Sequence, residues 1–267
     1  MSWLSAIIIL IATLVTAFIS GIFGMAGGLI LMGVLTALLP VASAMVLHGC
    51  IQLVSNGWRA WLLRGHVDWK VFGRYVLGTV VAIGILFLVA WRPDKTMVYL
   101  MLGLVPFLVW VPRSMIDLDI QKPYQAEGAA VAVQCLNTLA GVSGPLLDLM
   151  FVRTDMTRQA IVATKSATQV LAHIVKIAFW ITPILLATGF SLEGLLGLGV
   201  AGASAAGNVG SWPPLGLLVF AIPLSMTGTW LGGLVLDRMD DVNFKRWMRW
   251  LVTVIGAVYL ARAAGLL

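Results

Sequence analysis

The sequence predicts an all-helical, polytopic integral membrane protein with about eight transmembrane helices in two repeated halves, several of them broken by glycine. Three observations predict it. Of 267 residues, 60% are hydrophobic and 10% charged, and the mean hydropathy is +1.00, far outside the range of soluble domains. Apolar segments long enough to cross a hydrocarbon layer of ~30 Å recur along the chain. A set of polar residues inside one such segment returns, in the same register, 117 residues later.

The apolar segments run 3–38, 41–63, 71–91, 97–112, 128–152, 159–188, 213–236 and 245–265. The first is interrupted by Gly21-Ile-Phe-Gly-Met-Ala-Gly-Gly28, and its start, Met1-Ser2-Trp3, has no basic region, so it is expected to stay rather than be cleaved. The second carries His48, Gln52, Asn56 and Arg59, spaced i, i+4, i+8 and i+11. At ~100° per residue these lie within roughly 80° of one another and form one stripe. The turn Arg64-Gly-His-Val-Asp-Trp69 leads into the third and fourth segments. A polar stretch, 113–127, is the linker between a first half, 1–112, and a second half, 128–267.

The second half repeats the plan. Its first segment breaks at Gly141-Val-Ser-Gly-Pro145, and the next carries Lys165, Gln169, His173 and Lys176 at the spacings of the first stripe. Pairing each residue with the one 117 further on needs no gap from Gly24 to Arg59, and matches Gly24 with Gly141, Gly27 with Gly144 and Gln52 with Gln169. A Gly- and Ala-rich insertion follows at about 189–212, read as a short or re-entrant helix, before the last two segments. Trp3, Trp69, Trp91, Trp110, Trp212, Trp247 and Trp250 fall near predicted helix ends, where amphipathic rings anchor at the bilayer interface. The loop cations favour both termini outside.

Several function classes find no support. Cys50 and Cys135 form neither a disulfide framework nor a metal-ligand spacing, and no HExxH, CxxC or phosphate-loop pattern is present, so no metal or cofactor is expected. The net charge of +6 is spread over many loops without the clustered basic face that nucleic acid requires.

Ionisable side chains at membrane depth line a substrate path or find partners inside the bundle. Unwound backbone is tolerated there only where it is buried in protein or lines a cavity, and paired breaks in two halves point to a transporter site. The N–H groups at a half-helix start carry partial positive charge, and His48, His173, Lys165 and Lys176 would add to it. The implied substrate is a small anion. Plainer roles compete: glycines pack helices closely, Lys165 can pair with Asp148 across one short loop, Arg59 can snorkel, the glutamines can bond between helices, and His66 sits in a solvated turn.

The Gly24-Met-Ala-Gly-Gly28 break, the Arg64–Trp69 turn, and Gly141-Val-Ser-Gly-Pro145 followed by Ala163-Thr-Lys-Ser166 resemble, in that order, the TauE/SafE-type sulfite exporter (TSUP) family of anion transporters. The resemblance covers nearly the whole chain. It implies a two-half, roughly eight-helix inner-membrane carrier of sulfite or an organosulfonate such as sulfoacetate, with protons a candidate coupling ion. Ser143, Pro145 and Asp148 depart from the usual second-half glycine run.

The site expected from these residues places Gly24, Gly27, Gly28, Gly141, Ser143 and Gly144 as backbone or hydroxyl donors, Lys165 as the main charge, and Gln52 and Gln169 as orienting amides. His48 and His173 are candidates for proton coupling, since histidine changes charge near neutral pH. Asn56, Arg59, Asp148 and Lys176 are secondary candidates. Two other functions compete: an anion channel lined by the stripes, and an intramembrane serine protease in which Ser143, in Gly-Val-Ser-Gly, is activated by His173. Substrate anion, coupled protons and lipid are the expected partners; oligomeric state is open.

Overall fold

A computed structural model describes residues 2–23, 25–112, 118–151, 154–188, 213–236 and 241–266. Every regular element among them is helical: α1 (Trp3–Phe23), α2 (Met25–Leu38), α3 (Val41–Leu62), α4 (Trp69–Val89), α5 (Lys95–Leu104), α6 (Gln125–Ala140), α7 (Gly144–Met150), α8 (Arg158–Thr188), α9 (Leu218–Leu236) and α10 (Asp241–Ala263), with 3-10 turns at Arg64–His66, Val105–Trp110 and Leu215–Leu217. The insertion at 189–212, with Trp212, lies outside the described residues, as do Gly24 and the linker residues 113–117.

Four spans, Trp3–Ile22, Trp69–Val89, Gln159–Leu186 and Leu215–Val235, are long and apolar enough to cross a membrane among the described residues. The protein is a membrane protein. Ala26–Leu38 and Lys95–Trp110 are apolar but shorter. Trp3, Trp69 and Trp247 are each more than 60% exposed, which suits rings facing lipid or headgroups.

The chain forms two compact units. Unit one holds Met1–Ser55 and Lys176–Met239; unit two holds Asn56–Val175 and Asp240–Leu267. Each draws from both halves of the sequence, and α3 and α8 pass from one unit to the other, α3 after Ser55 and α8 after Val175.

Unit one is built on close backbone approach. Gly228 and Gly232 of α9, spaced GxxxG, pack on α1: a Cβ at Gly228 would lie 2.6 Å from the Leu14 carbonyl oxygen, and one at Gly21 would lie 2.7 Å from Cα of Gly232. In lipid no hydrophobic force draws helices together, so dispersion contact between bare backbones does this work. Ser55 and Thr229 hydroxyls hydrogen bond at 3.0 Å beside it.

In unit two, α4 packs on α6 and α5 on α10. Gly78 lets the Glu127 carbonyl reach the backbone of α4. Nearby, Arg74 grips Glu127 through Nε at 2.9 Å and Nη2 at 2.7 Å, and its guanidinium also donates to the Gln121 and Lys122 carbonyls at 3.2 and 2.7 Å. Residues 118–124 are therefore held in place rather than slack. Ile120 is fully buried with Tyr75, Ala130 and Leu147, and its N–H donates to the Met150 carbonyl at 2.9 Å. The helix α6 starts at Gln125, three residues inside the stretch expected to be linker.

The Arg74 guanidinium holds the Glu127 carboxyl below the usual carboxylate range. A depressed folded-state value stabilises the fold above the unfolded value, ~4.3, and that contribution is lost as the pH falls below it. The thermal midpoint of the wild type should thus drop more between about pH 5 and pH 3 than that of Glu127→Gln. Parallel curves for the two would show that the clamp adds nothing.

Candidate functional site

The turn from α3 to α4 sets the position of α8. Asp68 caps α4, its carboxylate accepting from the N–H groups of Lys70 and Val71 at 3.0 Å each. Its own N–H donates to Thr164 Oγ1 at 2.9 Å, which ties the turn to the residue beside Lys165. His66 is exposed in this turn.

In unit two, Lys165 of α8 forms an ion pair with Asp148 of α7. Both side chains are less than one-third exposed. Arg59 of α3 lies close enough for its charge to act on Lys165, and Gly57, one turn away, faces Val170 of α8. Two cations thus meet one carboxylate, leaving a surplus positive charge. Gln169 follows Lys165 by one turn on the same stripe of α8, and its Nε2 is buried with no hydrogen-bond partner. Ser143 precedes α7, is 1% exposed, and its Oγ likewise has no partner among the described residues. The chain turns into this segment at Gly141, whose φ of 90° suits glycine. Gly144 begins α7.

A second set assembles in unit one. His48 of α3 and Lys176 of α8 are 1% and 0% exposed. Lys176 Nζ lies 2.7 Å from His48 Nδ1, and His48 Nε2 lies 3.0 Å from the Gly28 carbonyl oxygen. Gln52, one turn after His48, lies over Gly28, where a Cβ would press on its Nε2. Gly27 faces the other way, against the Thr16 carbonyl and the Ser20 hydroxyl of α1. A tight crevice between these helices is lined by Thr13, Thr16, Ser20, Gly27, Gln52 and, from α9, Ser225.

The two polar stripes are therefore each divided. His48 and Gln52 belong to unit one, Asn56 and Arg59 to unit two; Lys165, Gln169 and His173 belong to unit two, Lys176 to unit one. Asn56 is half-buried on α3, and His173 is 3% exposed. Gly24 lies outside the described residues.

A family model described as Sulfite exporter TauE/SafE matches residues 8–260, nearly the whole chain. The chain belongs to the TauE/SafE sulfite exporter family. That makes it a member of a family of membrane transporters for sulfite-like anions. No curated protein and no solved structure matches the chain.

In this TauE/SafE chain the helix before each break carries buried polar groups that the apolar reading passed over. On α1 these are Thr13, Thr16 and Ser20; on α6 they are Gln134, Asn137 and Thr138, all less than 7% exposed. Gln134 Nε2 donates to Thr79 Oγ1 at 3.1 Å, and Asn137 Nδ2 to the Ala172 carbonyl at 3.0 Å, which holds α6 to α8 beside His173. The signal was available: spacings of three and four on one helix face, with Ser20 and Asn137 in the same 117-residue register. Ser225 had no such signal, because α9 carries a single serine in an apolar run and only packing brings it to the crevice.

Proposed function

We propose that this family member is a secondary transporter of the inner (plasma) membrane that moves a small sulfur oxyanion or organosulfonate, with sulfite and sulfoacetate the leading candidates, by alternating access of two repeated four-helix halves. One observation carries the reading. Buried hydrogen-bond donors with nothing to donate to, Ser143 Oγ and Gln169 Nε2, belong to the same unit as the surplus positive charge of Arg59, Lys165 and Asp148. Leaving such donors unspent is costly in a protein interior. An oxyanion satisfies them and the charge together, and replaces the hydration it loses on entering.

Lys165 supplies the principal contact charge, Arg59 a supporting one, and Gln52, Gly27 and Gly28 the corresponding features of the first break. Protons are the proposed coupling ion, with His48 and His173 the titrating candidates. The protease reading lacks its activated nucleophile, since the Ser143 hydroxyl has no hydrogen bond to any base among the described residues. A channel lined by the same groups differs in kinetics: a carrier saturates and shows counterflow.

The test is substrate-induced thermal stabilisation of the purified protein across sulfite, sulfate, thiosulfate, sulfoacetate, taurine and short carboxylates. One sulfur oxyanion should stabilise saturably, and Ser143→Ala and Gln169→Leu should each weaken it about tenfold, the worth of one hydrogen bond to a charged group. Stabilisation by none of these anions would sink the reading, and labelling of Ser143 by a serine-directed covalent probe would favour the protease.

A further inference from the structure

The contact between His48 and Lys176 constrains where protons can be. A carbonyl oxygen only accepts, so the 3.0 Å contact with Gly28 puts the hydrogen on His48 Nε2. A neutral imidazole has one N–H, so Nδ1 carries a lone pair, and the Lys176 ammonium donates to it at 2.7 Å. Two protonated groups cannot share that distance. If Nδ1 gains a proton, Lys176 must give one up: an Nζ–H bond breaks, its electron pair stays on Nζ, and an Nδ1–H bond forms.

Both groups are held. A Cβ at Gly49 would lie 3.3 Å from Lys176 Cε and 2.6 Å from Cγ1 of Ile177, so α3 is bare where the lysine stem crosses it. The other titratable group that acts on Lys176 is the thiol of Cys50, also on α3. On the Gly28 side, α1 and α9 present the hydroxyls of Ser20 and Ser225, and α3 the Gln52 amide, none of which titrates near neutral pH.

We propose that His48 and Lys176 form one proton-binding unit, and that its single proton is the coupling ion of this carrier. The coupling half rests on the carrier reading above; the pair itself does not. The link to transport is the Gly28 carbonyl, which belongs to the first glycine break and anchors the imidazole tautomer. When the break changes conformation and that carbonyl withdraws, Nε2 is no longer tied as a donor and the proton affinity of the pair changes. Linkage then requires the proton to bias the break in return. Lys176, rather than His173, becomes the partner of His48.

Two measurements on the full chain test this. The first is nitrogen NMR of protein labelled with 15N-histidine in lipid nanodiscs, with His66 and His173 assigned by replacement with Gln. His48 should show protonated Nε2 and unprotonated Nδ1 from about pH 5 to about pH 8, well across the ordinary histidine range. An imidazolium at His48 in that range, or an Nδ1–H tautomer, overturns the shared proton.

The second is sulfite flux in proteoliposomes with and without a pH gradient. The ratio of the two rates should exceed one in the wild type and fall to about one in His48→Gln and in Lys176→Met, with Lys176→Gln as a second variant should Lys176→Met fail to fold. An undiminished ratio in these variants overturns the coupling. A wild type without sulfite flux or counterflow rejects the carrier reading and the coupling with it, while the nitrogen spectra still decide the pair.

Discussion

Gly27→Ala should leave no stably folded protein, whereas Gly28→Ala, one residue on, should fold and fail to bind. A Cβ at Gly27 would sit inside the Thr16 carbonyl oxygen, with Ser20 Oγ 2.5 Å and Ser20 N 2.8 Å away. Two of those three atoms are backbone, and backbone cannot move aside without parting α1 from α2. Overpacking of this kind costs about 3 kcal/mol or more. At Gly28 the added Cβ presses on the end of the flexible Gln52 side chain, and His48 Nε2 is a comfortable 3.8 Å off. The chain can absorb that by turning the amide away.

The expected readouts are therefore opposite. Size-exclusion profiles and thermal midpoints should show Gly27→Ala aggregated or absent and Gly28→Ala close to the wild type, within about 1 kcal/mol. Stabilisation by the sulfur oxyanion should be about tenfold weaker in Gly28→Ala, the loss of one amide contact to an anion. A well-folded Gly27→Ala would mean that the two helices do not approach as described. Normal binding by Gly28→Ala would remove Gln52 from the site.

The second large effect concerns Lys165, whose pairing with Asp148 mixes a structural role with a functional one. Lys165→Ala leaves a partly buried carboxylate without its cation and should cost about 1–3 kcal/mol of stability. It should also weaken anion binding by about a hundredfold, since the contact charge is gone. Lys165→Ala combined with Asp148→Asn separates the two. Stability should return toward the wild type, because no charge is left unpaired, while affinity stays low. Full recovery of affinity in the double variant would show that Lys165 serves only to neutralise Asp148 and that Arg59 carries the anion. Arg59→Gln should weaken binding less than Lys165→Ala, as it acts through charge from further off.

Much of the candidate site could be read from spacing. Period and register are local properties of a helix, so the stripes through His48 and Lys165, the glycine breaks and the possible Lys165–Asp148 pair were all legible in the order of residues. Helix ends came within a few residues, and the first apolar segment, expected to be broken by glycine, became α1 and α2. Two kinds of residue were ranked too low. Lys176 stood at the far end of its stripe and its importance depends on meeting His48, 128 positions earlier. Gln134 and Asn137 sit in a helix whose mean composition is apolar, and averages hide a narrow polar face.

By itself the sequence determined that this is a helical membrane protein, that its charge and glycine pattern suit an anion, and which helix faces hold the polar groups. Those follow from composition and from the geometry of one helix, which need no neighbour. Only the tertiary structure decided the pairings: Gly27 against α1 but Gly28 against Gln52, Lys165 with Asp148, and Lys176 with His48. The physical reason is that a buried charge or a bare backbone is stabilised by whichever atom packing brings within about 3 Å, and that atom is chosen by contacts between helices far apart in the chain.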